Sequence, residues 1–322
     1  MKKLIVLLAV CLMLFAGCTS PSLLGKPAVT PVPGVDSVLP NVNAPASLDR
    51  RESVSLYFRY LSEPFLAMET RSIIQSPSKP FELALLSELV SGPGTHASDL
   101  TSLFPTGVQV LSTVTQGRTL FVTLSGEILN PYPDESSLSP EERVLRRRLC
   151  LQSLVATVTD NCDIDQVQIL VEQTDAATGS LRLTESFFQP SAQPGEVIPP
   201  LTRDDQLLLT PGRTMEVIFH LWQIRDWQRL YQYIALRDPV TRLERDSYRD
   251  FVAAMEALPL VTDFTSGSGS VTLAGDRATF ALAATTLSGG RETPYPSSIV
   301  RLCRENGLWR VTLEQLTGWL ED

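Results

Sequence analysis

The chain predicts an α+β protein, and three observations point there. Over residues 53–175, runs of period-two alternation interleave with two capped helical stretches in the order β, β, α, β, β, α, β. Past residue 210 the order changes to helices first and strands last, ending with an Asn306-Gly307 turn. A hydrophobic fraction of 43% over 322 residues is enough for two ordinary cores.

The first strand is read from "SVSLYFRYL", where Val54, Leu56 and Phe58 alternate with Ser55, Tyr57 and Arg59. A second covers "FLAMETRSIIQ" at 65–75. Ser78-Lys79-Pro80 then opens a helix whose apolar residues include Phe81, Leu83, Leu85, Leu86, Leu89 and Val90. Gly92 and Pro93 stop it, because glycine accepts a left-handed cap and proline cannot continue the helix. "VQVLSTV" and "RTLFVTL" flank Thr115-Gln116-Gly117 as a hairpin. Ser139-Pro140-Glu141-Glu142 has the pattern of a capping box and starts a helix running to about Thr159. That helix is expected to bury Val144, Leu145, Leu151, Leu154, Val155 and Val158, and "QVQILV" at 166–171 closes the unit.

Residues 189–209 read as a linker, and 210–322 as a second α+β domain with helices packed on a curved antiparallel sheet. Thr210-Pro211 opens its first helix, Asp226 its second, and "DSYRDFVAAMEAL" forms a third. Strands are expected at about 269–274, 277–287, 297–304 and 308–314.

Three stretches carry a family resemblance: "VSLYFRYLSEPFLAMETRSI", "ALLSELVSGPGTHASDLTSLFPTGVQVLSTVTQGRTLFVTLSGE" and "LVATVTD…DIDQVQILVE". With their "LYF", "E-T-R", "L-V-x-G-P" and "F-P-T-G" landmarks, residues 53–188 resemble a GerM-type sporulation and germination domain. That resemblance implies a fold similar to the ring-building motif of secretion assemblies. It also implies a non-catalytic binding or assembly role in lipoproteins of Gram-positive-type envelopes. The ending "GLWRVTL" and the helices-then-sheet order make 210–322 similar to the nuclear-transport-factor-2-like fold.

The start of the chain carries an address. Lys2 and Lys3 precede the apolar run Leu4–Phe15, too short for a bilayer span of about 20 residues but suited to a secretory signal. Ala16-Gly17-Cys18 follows and resembles the bacterial lipobox, although Phe15 departs from its usual aliphatic residue. The resemblance implies a signal peptide at 1–17 and diacylation of Cys18, with the chain held on the outer leaflet of the cytoplasmic membrane. Residues 18–52 contain six prolines and no amphipathic period. They read as a tether, spanning roughly 30 Å as a coil and up to about 100 Å as polyproline II.

Charge limits the partners. Loss of Lys2 and Lys3 with the signal takes the formal charge from −9 to −11, which disfavours nucleic acid and anionic lipid. An envelope protein, or a second copy of the chain, is the expected partner. Of the remaining cysteines, only Cys150 and Cys162 lie close in sequence. A helix between them would carry the chain some 12 Å away at about 1.5 Å per residue. Three buried free thiols is therefore the expected reading, with a local bridge the alternative.

No catalytic constellation stands out. The sequence lacks Cys-x-x-Cys, His-x-x-x-His, Gly-x-Ser-x-Gly and a phosphate loop, so neither an enzyme nor a cofactor is expected. His96 sits in a polar loop and reads as solvated. Arg71 reads as a structural residue braced by Glu69 on the same strand face. Arg143, Arg146, Arg147 and Arg148 form the one dense basic cluster and are the expected partner-binding surface. Four arginines within six residues wrap a helix, so at least one faces another element. The rival reading is a small-molecule site, or an enzyme, using a pocket around His220, Asp226 and Tyr231.

Overall fold

The computed structural model describes residues 50–172, 179–188 and 195–320. The signal peptide, Cys18 and the tether up to residue 49 lie outside the described residues. The observed protein is α+β, and Ser47–Asp322 is one unit with a continuous core from Leu56 and Phe58 to Trp222 and Trp319.

In the first half, β1 (Arg50–Tyr60) pairs antiparallel with β2 (Leu66–Gln75), and α1 (Phe81–Val90) follows. Pro80 is the N-cap of α1, one step outside the helix, and makes no side-chain cap bond. Gly92 takes φ +94° behind α1, as expected of a left-handed stop. β3 (Leu100–Thr101) adds two residues beside Arg59 and Tyr60. β4 (Val110–Gln116) and β5 (Thr119–Leu124) make the expected hairpin. α2 (Pro140–Asn161) follows, then β6 (Gln166–Glu172) and β7 (Ser180–Arg182).

These strands form two sheets, ordered β2-β1-β3 and β4-β5-β6-β7, with β5 and β6 parallel. The reason lies on α2. β3 covers only the last two residues of β1, so among the described residues the strand edge at Ser55 and Tyr57 has no strand neighbour. Side chains of α2 take its place. Asn161 accepts from the Ser55 N–H at 2.9 Å and donates to its carbonyl at 2.8 Å. Thr157 accepts from the Tyr57 N–H at 3.2 Å, and Ser153 donates to the Tyr57 carbonyl at 2.6 Å. Residues 153, 157 and 161 share one helix face by their spacing of four, so a helix satisfies a strand's edge. Ser139 caps α2 as expected, but Glu142 does not close the box. Its carboxylate meets Arg59 instead.

The second half begins with α3 (Pro211–Gln223), capped by Thr210, then α4 (Trp227–Gln232), capped by Asp226, and α5 (Tyr248–Glu256), capped by Ser247. Five strands follow: β8 (Leu260–Ser266), β9 (Ser270–Val271), β10 (Arg277–Ser288), β11 (Arg291–Glu305) and β12 (Leu308–Arg310). The main order is β12-β11-β10-β8, antiparallel throughout, with β9 also on β10. Register shifts at Leu282/Ala284 and Thr285/Thr286 bend the sheet. β8 lacks clean alternation because the second shift leaves Thr262 unpaired between Val261 and Asp263. β11 starts earlier than expected, at Arg291. Pro294 and Pro296 are tolerated because β12 pairs only with 303–305, leaving that stretch at the edge. Asn306 and Gly307 both take positive φ, as the tight turn requires. The expected strand 308–314 is cut short: Thr312 caps α6 (Leu313–Thr317).

The segment read as a linker behaves otherwise where it is described. Leu201 bridges Val167, and Leu208 bridges Leu66, with the Leu209 N–H bonded to the Leu66 carbonyl at 2.8 Å. Beyond it the halves meet directly. Tyr60 and Tyr233 pack edge to face at 5.3 Å, and the Tyr60 hydroxyl donates to the Gln232 carbonyl. Arg229 forks onto Glu63 at 2.8 and 2.6 Å, while Arg310, 2% exposed, pairs with Asp99. Burial pushes the Tyr60 and Tyr233 hydroxyls above their ordinary range.

Candidate functional site

The arginine cluster on α2 does not face one way. Arg147 is 2% exposed, paired with Glu135 at 3.1 Å, and lies over the rings of Tyr132 and Phe187. It is a core residue and cannot meet a partner, which corrects the sequence expectation. Arg146 turns to Asp134 at 2.6 Å and stacks 4.0 Å from the Tyr132 ring. The bond from Arg146 holds the Asp134 carboxyl below the usual range. Arg148 is exposed and touches Asp204 at 2.7 Å, and Arg143 is half-buried. Of the four, Arg148 and Arg143 remain available at the surface. Beneath them Cys150 is fully buried, and burial pushes its thiol up to about 12. Cys150, Cys162 and Cys303 are all free.

The "E-T-R" motif has a structural role. Arg71 bonds Glu69 at 2.9 Å, Glu88 at 3.2 Å and the Gly92 carbonyl at 2.9 Å. Glu69 in turn accepts from the Gly94 N–H at 3.0 Å. The pair clamps the Gly92-Pro93-Gly94 loop onto β2. A Cβ at Gly94 would lie 2.9 Å from a Glu69 oxygen, so a side chain there would press on the carboxylate that holds the loop. His96, just beyond, is exposed.

His220, Asp226 and Tyr231 do not converge. His220 is exposed on α3. Asp226 caps α4 by accepting from the Arg229 N–H at 3.1 Å. Tyr231 packs on Tyr248 and Phe251 and donates to the Asp246 carbonyl at 2.6 Å. It borders a cleft of about 190 Å³ that neither His220 nor Asp226 lines. The rival site is therefore not built from these three residues.

A larger cleft lies in the same half, at the end of the sheet where β10 begins and β11 ends. It measures about 300 Å³ and is lined by Arg237, Arg242, Arg277 and Arg304, with Asp238, Asp276 and Glu305. A second chamber of about 220 Å³ shares Asp238, Pro239 and Arg277 and adds Arg301, Leu302 and Val240. Sequence reasoning missed this site because its arginines are scattered from residue 237 to residue 304. Only the sheet brings them together. Among the described residues no three or more His, Cys, Asp or Glu side chains are grouped to hold a metal. No described helix is long and apolar enough to cross a membrane.

Comparison with known proteins adds a family. Residues 55–176 match Germane, the sporulation and spore germination family, so the chain carries a GerM-type domain over this stretch. Among solved structures, the tandem GerMN domains of GerM from Bacillus subtilis match at 16% identity, TM-score 0.33, covering 55% of this chain and 50% of theirs. This chain thus spans half of that tandem protein. The first GerMN domain alone matches at 15% identity, TM-score 0.30, covering 47% and 98%. A Clostridium perfringens protein provisionally described as a lipoprotein matches at 19% identity, TM-score 0.28, covering 48% and 89%. No curated protein matches.

Proposed function

We propose that this chain is a lipoprotein on the extracytoplasmic face of the cell membrane, working as a non-catalytic binding and assembly module in sporulation or germination. The observation that carries this reading is the Germane match over 55–176, whose description names a cellular process and no reaction. Lys2 and Lys3, the short apolar run and Ala16-Gly17-Cys18 support secretion and lipidation. Lipidation would hold the domain on the outer leaflet, since each buried methylene contributes about 0.8 kcal/mol.

The domain's surface supports assembly more than chemistry. Glu69, Arg71 and Arg147 are engaged inside the fold. β4, in contrast, is the outer strand of its sheet, and Val108–Gln116 contains no charge. Val114 is 62% exposed there. Uncharged outer strands pair readily with other chains, through envelope proteins or a second copy.

The test is cross-linking in living cells, with the tagged chain captured and its adducts identified by mass spectrometry. A recurrent protein adduct that weakens in Val114→Lys or Arg148→Glu is expected. No adduct above background would overturn the assembly reading.

A further inference from the structure

We propose that the arginine-lined cleft in the second half binds a phosphate group carried on a partly apolar molecule. The inference stands apart from the assembly reading, because it concerns different residues and a different half of the chain.

Two guanidinium groups in the cleft have donors to spare. Arg242 makes no side-chain bond, and Arg277 approaches only Asp276, at 3.9 Å, among the described residues. Arg304 is half-buried and bonds the Gly307 carbonyl at 3.2 Å and the Met68 sulfur at 3.1 Å. Its guanidinium lies over the Trp309 ring at 5.5 Å, and its Nη1 has no hydrogen-bond partner among the described residues. No described carboxylate comes within ion-pair distance, Asp160 acting on it only from further off. A half-buried guanidinium held by a ring face, one carbonyl and a sulfur, with no ion-pair partner, gains from an anionic ligand.

The carboxylates in the cleft are already committed. Asp238 accepts from the Val240 and Thr241 N–H groups at 2.7 and 2.6 Å. Asp276 accepts from the Thr272 hydroxyl at 2.7 Å, and Glu305 accepts from the Leu236 and Arg237 N–H groups at 2.7 and 3.0 Å. These bonds shape the walls; Arg237 is paired with Glu244 at 3.0 Å, which leaves the forks of Arg242 and Arg277 as the open groups. The Arg242 N–H also closes the loop onto the Asp238 carbonyl at 3.0 Å, so that wall is internally braced.

The geometry points to phosphate over carboxylate. Arg237 and Arg242 come from the loop after α4, Arg277 from the start of β10, and Arg304 from the end of β11. A planar carboxylate suits a single fork, whereas a tetrahedral phosphate presents oxygens to donors arriving from several sides. The adjoining chamber adds Arg301 beside Val240, Pro239 and Leu302, and so gives an apolar body somewhere to lie. The phosphate could belong to a soluble molecule or to a lipid headgroup, and the chemistry in the cleft is the same.

The experiment is calorimetric titration of the purified full chain with pyrophosphate, at low and high salt. Saturable one-site binding that weakens with salt is expected. The double variant Arg242→Gln/Arg301→Gln, both exposed positions, should lose affinity by at least about tenfold. Arg249→Gln, an exposed arginine on α5 outside the cleft, should bind as the parent does. A parallel arm compares sedimentation with phosphatidylglycerol and phosphatidylcholine vesicles. Excess binding to the anionic vesicles, competed by pyrophosphate and lost in the double variant, would assign the phosphate to a headgroup. Pyrophosphate binding without that excess would assign it to a soluble ligand. Absence of pyrophosphate binding, or equal binding by the double variant, overturns the proposal.

Discussion

Arg147 shows how one residue can be both conspicuous in sequence and hidden in structure. The run of four arginines required at least one to face inward, and it is Arg147 that packs against Tyr132, Phe187 and Glu135. Which one was not legible, because the answer depends on the 130s loop folding back over α2. Arg147→Met should stay nearer to the parent than Arg147→Glu, which places two carboxylates together in a buried site. Breaking such a pair costs about 3–5 kcal/mol, read as a lowered urea midpoint. Ser153, Thr157 and Asn161 make a similar case. A polar line on a helix usually faces water, yet this one faces a strand edge. Thr157→Val should cost about 1–3 kcal/mol by leaving the buried Tyr57 N–H without a partner. Cys150 adds a pH signature. Its thiol is raised from 9.0 to about 12 by burial, so the folded state holds a proton that the unfolded chain releases first. That contribution is intact below about pH 9 and lost as pH rises toward 12. The urea midpoint should fall across that window, and less so in Cys150→Ala.

At the scale of elements, most of the pattern was legible and the pairing was not. Both hairpin turns and the caps at Ser139, Thr210, Asp226 and Ser247 follow from local chemistry that needs no distant contact. The division of the first half into two sheets follows from α2 occupying the edge of β1, a contact between residues about 100 apart. β8 was missed because its bulge breaks the two-residue period, and the start of β11 because prolines argue against a strand until its edge position is known. The Asn306-Gly307 turn has a second role that its sequence does not show. A Cβ at Gly307 would lie 2.1 Å from the Met68 carbonyl oxygen, where the turn presses on β2. Gly307→Ala therefore meets both a positive φ and a backbone clash across the two halves. It should destabilise the whole unit by more than the roughly 1 kcal/mol of an ordinary glycine replacement, as seen in its melting temperature.

For the molecule as a whole, the sequence suggested two domains on a linker, and the structure joins them. The Pro- and Thr-containing bridge reads as a linker by composition. Its described part nevertheless carries Leu201, Leu208 and Leu209 onto the strands of the first half. Tyr60, Tyr233, Glu63, Arg229, Asp99 and Arg310 then close a seam whose charged members come from both sides. None of these residues has a spacing that would mark it in advance, since each partner lies more than 150 positions away. This seam holds the GerM-type domain and the arginine cleft in fixed relation within one unit. Differential scanning calorimetry of the full chain tests that union most directly. One transition whose calorimetric and van't Hoff enthalpies agree, moved as a whole to lower temperature by Asp99→Ala, is the result this structure predicts. Two separable transitions, with only one of them shifted by that substitution, would contradict it.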